Sequence, residues 1–216
     1  AGYRMILAGR DERELELLSG DITTRFGTSC TTLLADMTEP TFSPARFVEQ
    51  AGGFDLAVLV AGEMGTGEQD DITNLAHVAQ VNYVVQSQIA SVAAETMSEQ
   101  GGGTLVVISS VAGDRGRAIH YEYGSAKAAM ACFASGLRQR YAKLGVHVLT
   151  VKPGFIDTPM TWGMDSPLIA ARETVAGAII RGIEKKSDII YTPWFWRVIM
   201  LVIQHIPERV FKRLAF

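Results

Sequence analysis

Residues 121–130 read YEYGSAKAAM, so Tyr123 stands four residues before Lys127. On an α-helix that spacing stacks both side chains on one face, whereas Tyr121 faces elsewhere. A free phenol holds its proton up to a pH of about 10, and a neighbouring ammonium favours the phenolate and lowers that value. Such a pair suits proton exchange with a reacting oxygen near neutral pH. The same spacing also arises by chance on solvated helix faces, so its surroundings decide. Ser110 closes the run ISS thirteen residues before Tyr123, and Asn82 in VNYVVQ is expected at a strand-to-helix junction. Four polar groups then converge on one strand-end site.

The elements that must position them are legible as short apolar runs at residues 4–9, 31–36, 56–62, 104–110, 147–153 and 188–193. These runs are continuously apolar, as expected of parallel strands covered on both faces. Between them lie helical periodicities, such as Val81, Val84, Val85, Gln88, Ile89 and Val92, or Met130, Phe133, Ala134, Leu137 and Tyr141. Alternating strands and helices predict an α/β, doubly wound, Rossmann-like parallel sheet with its ligand at the carboxyl ends of the strands. No repeat or Pro/Ser-rich linker divides the 216 residues. Residues 1–193 are therefore expected to form one catalytic domain, with 194–216 an apolar and basic tail of the same domain.

Bulk properties narrow the function classes. A formal net charge of -3 supplies no basic excess for nucleic acid. Cys30 and Cys132 lie far apart and form no metal-type spacing, so neither a disulfide framework nor a metal site is expected, and a reducing, cytoplasmic compartment is. Residues 1–20 carry a charged cluster where a signal peptide would be apolar, and the longest apolar tract, VIMLVI, is too short to span a bilayer.

The order Asn82, Ser110, Tyr123-x-x-x-Lys127, followed by PGFIDT at 153–158, resembles the short-chain dehydrogenase/reductase family. The resemblance implies an NAD(P)-dependent oxidoreductase that moves a hydride between nicotinamide and a carbonyl or secondary alcohol. In it, Tyr123 is the general acid/base, Lys127 lowers the Tyr123 pKa and holds the nicotinamide ribose, Ser110 holds the reacting carbonyl, and Asn82 holds a relay water. It also places Ala61, Gly62, Pro153, Gly154, Ile156 and Thr158 beside the cofactor, and Asp36 near the adenine. Ser109 points to the other side of its strand and is expected to be structural. Arg10, rather than an acidic residue, follows the first visible strand, which favours NADP over NAD because an arginine can meet a 2′-phosphate.

Two departures stand out. The family's paired asparagines are replaced by Leu59 and Val60, and no G-x-G-x-x-G occurs; the glycines of GEMGTG at 62–67 have the wrong order. A chain that continues upstream is expected rather than a relict that has lost cofactor binding. The alternative class is a catalytically idle scaffold or cofactor sensor acting through dimerisation, since the small residues of 124–134 allow close packing and the family commonly forms homodimers or homotetramers. A hydrolase is disfavoured, because no G-x-S-x-G elbow is present.

The tail interleaves Trp194, Phe195, Trp196, Ile199, Met200, Ile203 and Phe211 with Arg197, Arg209, Lys212 and Arg213. That mixture suits a helix lying on a membrane face, and equally a lid or a subunit contact. Together with VAGDRGRAIHYEYGSAKA, it is similar to one subgroup, the decaprenylphosphoryl 2-keto-pentose reductases. This similarity implies a lipid-linked keto-sugar as substrate, taken at the inner face of the membrane; otherwise the substrate is a small molecule. Arg117 and His120 are expected near the substrate mouth.

Overall fold

The computed structural model describes residues 3–65 and 72–214. Residues 66 and 67 of the GEMGTG stretch and the last two residues of the tail lie outside the described residues. The chain forms two compact units, Ala1–Gly53 and Phe54–Phe216.

In the first unit, β1 (Met5–Gly9) and β2 (Cys30–Leu34) pair in parallel, with Gly9 opposite Leu34. α1 (Glu12–Phe26) joins them and starts where Asp11 caps it, accepting the Glu14 amide at 2.9 Å. It ends at Gly27, whose left-handed backbone, φ 60°, suits a residue without Cβ. α2 (Pro44–Ala51) opens with Ser43 as cap and Pro44 in its first turn. Local signals therefore set every helix boundary in this unit.

The second unit holds four parallel strands in sequence order: β3 (Leu56–Leu59), β4 (Gly103–Ile108), β5 (Val146–Pro153) and β6 (Ile189–Thr192). α5 (Tyr121–Tyr141) crosses from β4 to β5, and α6 (Arg172–Glu184) from β5 to β6. Val106, Leu149 and Val151 are fully buried, with Ile179, Ile183 and Ile190 packed against them. Burying a side chain of this size is worth about 1.5–3 kcal/mol, so packing holds these strands. Arg138 locks α5 to the sheet, donating to the Val148 carbonyl at 2.9 Å, Thr150 Oγ1 at 2.7 Å and the Asp188 carbonyl at 2.8 Å.

Asn82 does not lie at a strand-to-helix junction. It sits inside a helical run in which α3 (Ile72–Ala79) passes through a π-helical turn, Gln80–Val84, into α4 (Val85–Glu99). The wider turn is served by side-chain amides: Asn82 Nδ2 donates to the Val78 carbonyl at 2.9 Å, and Gln86 Nε2 to that of Val81 at 2.8 Å. Apolar periodicity cannot register the extra residue, because the helix continues on both sides.

The tail folds into α7 (Trp196–His205) and α8 (Glu208–Phe211). Trp196 and Met200 pack against Val111, Phe155 and Leu168, and Phe211 is buried under the Arg115 guanidinium, 4.2 Å from the ring centre. The segment is thus partly core, and its deletion would remove structure as well as surface. Among the described residues no helix is long and apolar enough to cross a membrane.

Candidate active site

The site is assembled at the carboxyl end of β4. The chain leaves the strand at Ile108, and Ser110 caps a single 3-10 turn, Val111–Gly113, its Oγ accepting the Ala112 amide at 3.1 Å. That turn rests directly on α5: a Cβ on Gly113 would fall 2.7 Å from the Ala128 nitrogen. Only a glycine permits this approach, and Ser110 comes close enough to Tyr123 for its hydroxyl to favour the phenolate.

Lys127, one turn further along α5, is buried, and its Nζ donates to the Ile108 carbonyl at 3.1 Å. The ammonium lies 5.6 Å from the centre of the Tyr123 ring. Ser109, on the opposite side of its strand from Ser110, donates to the Lys127 carbonyl at 2.8 Å and so ties the strand end to the helix. Both serines line the cavity, and the Ser109 hydroxyl is the one spent on the scaffold.

The electrostatics correct one expectation. Burial raises the Tyr123 pKa and outweighs the Ser110 hydroxyl, which lowers it, so the net shift is upward rather than the downward one expected. Burial also lowers the Lys127 pKa to about 8. Desolvation outweighs the ammonium here because Nζ points at a backbone carbonyl rather than at the phenol oxygen. At neutral pH Tyr123 carries its proton.

Asn82 stands behind this wall. Its Nδ2 donates to the Glu63 carbonyl at 2.8 Å, and its Oδ1 accepts the Glu63 amide at 3.3 Å. A Cβ on Gly62 would fall 2.8 Å from Asn82 Oδ1 and 3.1 Å from Lys127 Nζ, so the glycine lets both side chains close on the backbone. The Ala61 carbonyl accepts from Gln86 Nε2 at 2.6 Å.

One cavity of about 580 Å³ brings together Gly62, Ser110, Tyr123, Lys127, Pro153, Gly154, Ile156 and Thr158. Asn82 and Ala61 are not on its wall. The far wall is apolar, with Ile119, Met160, Met164, Val175 and Ile179, and Arg117 and His120 also line it. Arg10 and Asp36 belong to the first unit, after the carboxyl ends of its two paired strands. Arg10 is exposed, while Asp36 accepts from the Thr38 amide at 2.8 Å and lines a recess of about 270 Å³ with Phe42, Arg46 and Phe47.

Three contributors were not legible beforehand. Asp114 accepts from Lys152 and from the Tyr191 hydroxyl, the latter at 2.8 Å, and so anchors the turn that carries Ser110 to β5 and β6. Trp196 packs so closely on Gly154 that a Cβ there would fall 1.9 Å from its indole nitrogen. Gln86 braces the loop after β3. Only Gln86 had a sequence signal, one helical turn after Asn82; the other two act between distant stretches of chain, Asp114 reaching partners 38 and 77 residues away. Among the described residues no cluster of three or more His, Cys, Asp or Glu could hold a metal ion.

Comparison with known proteins agrees with this architecture. The chain is 34% identical to an uncharacterized oxidoreductase in the mprA 5′ region of Streptomyces coelicolor, over 99% of this chain and 87% of that one. It is 36% identical to an uncharacterized oxidoreductase of Mycobacterium tuberculosis, over 79% of this chain and 70% of that one. In fold it is similar to a short-chain dehydrogenase of Sphingobium yanoikuyae solved with NADPH, with a TM-score of 0.82 at 19% identity, covering 96% of this chain and 88% of the other. A Burkholderia cenocepacia short chain dehydrogenase solved with NADP also gives a TM-score of 0.82, at 21% identity over 99% of this chain and 86% of that one. The family model described as short chain dehydrogenase matches residues 1–168, and the chain therefore belongs to the short-chain dehydrogenase family.

Proposed function

We propose that the chain moves a hydride between the nicotinamide of NADP and a carbonyl or secondary-alcohol substrate, with Tyr123 as general acid/base. As a member of its family the chain is an NAD(P)-dependent oxidoreductase; the proposal adds the roles of individual residues. The observation that carries it is that Ser110, Tyr123 and Lys127 line one cavity together.

The residues present fit the nicotinamide end of the cofactor. Gly62, Pro153, Gly154, Ile156 and Thr158 share the cavity with the Tyr123 phenol, and the missing Cβ of Gly62 leaves the backbone close to Lys127. In this reading Lys127 meets the ribose hydroxyls, Arg10 a 2′-phosphate, and Asp36 the adenine. Arg10 favours NADP, and two relatives in fold were solved with NADPH and NADP. When bound, the nicotinamide supplies or takes the hydride.

The chain's own residues handle the proton. Ser110 donates its hydroxyl to the substrate oxygen and fixes it beside Tyr123. In reduction Tyr123, protonated at neutral pH because it is buried, gives its proton to that oxygen as negative charge develops there; in oxidation it takes the proton back. Lys127 supplies the positive charge that stabilises the resulting phenolate. The relay water assigned to Asn82 would share Oδ1 with the Glu63 amide, which a carbonyl oxygen with two lone pairs permits.

The proposal extends to a lipid-linked keto-sugar as substrate, taken at the inner face of a membrane. Trp194, Val198, Leu201 and Val202 are exposed on and beside α7, Trp194 at 75%, and Arg197, Arg209, Lys212 and Arg213 are exposed in the same segment. Large apolar groups gain by leaving water, and the cations suit anionic headgroups. Homodimers or homotetramers are part of the same reading.

The central claim is tested by NADPH-dependent turnover over a panel of ketones and keto-sugars. Tyr123→Phe should lose about 10²–10⁴-fold with cofactor binding retained, while Tyr121→Phe stays near wild type. An active Tyr123→Phe beside an inactive Tyr121→Phe would transfer the role to the other tyrosine.

A further inference from the structure

Arg117 lies on the loop between the Ser110 turn and α5, half-buried, on the wall of the cavity that holds Ser110 and Tyr123. Among the described residues its guanidinium has no hydrogen bond or ion pair. Its neighbour Arg115 shows the contrast, donating to the Gln204 carbonyl at 3.0 Å and to Glu208 at 2.6 Å. Arg115 is structural; Arg117 has no such partner among the described residues.

That arrangement is costly. A guanidinium keeps its charge at all physiological pH and offers five donors in a rigid fork. Withdrawing it from water is unfavourable unless a counter-charge compensates. Burial lowers its pKa, with no neighbouring charge contributing. Ile119, Met160 and Met164 on the same cavity wall are apolar, and no carboxylate lines it. His120, held in a left-handed conformation at φ 54°, lines the same wall and makes no side-chain cap to α5. Non-glycine residues adopt that conformation at a cost of about 1–3 kcal/mol, which the surrounding loop must sustain.

We propose that Arg117 receives an anionic group, carboxylate or phosphate, carried by the carbonyl substrate, so that the substrate is an amphiphile with one negative charge centre and an apolar body. The fork matches the paired oxygens of either anion, and the apolar wall takes the remainder. The inference rests on the hydride-transfer reading for its reaction, but the binding claim stands separately.

Two measurements on the full chain separate them. In calorimetry, dodecanoate and dodecyl phosphate should bind wild type roughly tenfold to hundredfold more tightly than dodecanol, the worth of a charge-assisted contact. Arg117→Met should remove that preference, and Arg117→Lys, which keeps the charge without the fork, should restore part of it. The relative affinity of the two anions identifies the headgroup. In NADPH-dependent turnover, the ratio of kcat/KM for a long-chain keto acid to that for its methyl ester should fall by the same factor in Arg117→Met, with the KM for NADPH unmoved. Equal binding of anion and alcohol by wild type overturns the proposal. So does a parallel rise in the KM for NADPH, which would assign Arg117 to a cofactor phosphate. If no ketone is reduced at all, the hydride-transfer reading fails, and the calorimetric comparison still decides Arg117.

Discussion

The two compact units differ in what holds them. In the first, only Leu15 and Val48 are buried among the described residues, and each helix is bounded by a local device: Asp11, Gly27, Ser43 with Pro44. In the second, buried side chains from β4, β5, α4 and α5 pack together, and the candidate site residues are joined between distant segments. α5 makes the point, because its N-cap, His120, forms no side-chain cap bond, yet the helix runs for 21 residues. Its position is set by Arg138, by the close approach at Gly113 and by the Ser109 bond to Lys127. Local signals suffice for elements that meet water; a site that must desolvate a tyrosine and a lysine needs a packed surround.

The largest effect should come from the packed unit, at Lys127. Lys127→Met should cost roughly 10²-fold or more in turnover. Its effect on stability has the opposite sign. The folded pKa of Lys127, about 8, lies below its ordinary value of 10.5, so between those values the unfolded chain binds more protons and folding is favoured as pH rises. Below pH 8 both states are protonated and the burial penalty is present in full, about 3 kcal/mol at most, against which the Ile108 hydrogen bond returns about 1 kcal/mol. Chemical denaturation should therefore show wild-type stability rising from pH 8 towards 10, with Lys127→Met flat over that window and more stable at pH 7. A wild-type profile without the rise would mean that the ammonium is better solvated than its burial indicates.

In the locally determined unit, an exposed side chain should act on one ligand group and nothing else. Arg10→Ala should weaken NADPH binding roughly tenfold to hundredfold, the range of a charge-assisted contact, with unfolding midpoint and NADH affinity unchanged. Titration of both cofactors against both proteins checks this, and a wild type that prefers NADH removes the 2′-phosphate role. A simultaneous loss of stability would break the distinction between the units.

The smallest effect is expected where the packed unit turns outward. Replacing Trp194, Val198, Leu201 and Val202 together with serine leaves Trp196 and Met200 in the core, which deletion of the tail would not. Flotation with phosphatidylglycerol vesicles at low salt should carry wild type upward and leave the variant behind, with a few-fold loss in turnover of a long-chain ketone and little change with a short one. Wild type remaining in the aqueous fraction would leave α7 as a lid or subunit contact.

All six strands were legible as short apolar runs such as MILAG, LVVI or VHVLTVKP without any partner in view, although only β4 and β5 are covered well enough to explain the pattern, since no residue of β1 or β2 is buried. Tyr123 and Lys127 were equally legible, since a spacing of four on a helix is a local fact. Ser110 followed from its place at a strand end. The sequence by itself therefore determined the fold class, the family and the candidates for proton exchange. Tertiary structure alone decided how those residues behave: that Asn82 lies in a π-helical turn and spends its amide on the backbone, that burial rather than the Lys127 charge governs the Tyr123 proton, and that Arg117 has no partner among the described residues while Arg115 has one. Desolvation and hydrogen-bond partnership depend on groups that meet only after folding, from segments tens of residues apart, and no spacing along the chain encodes them.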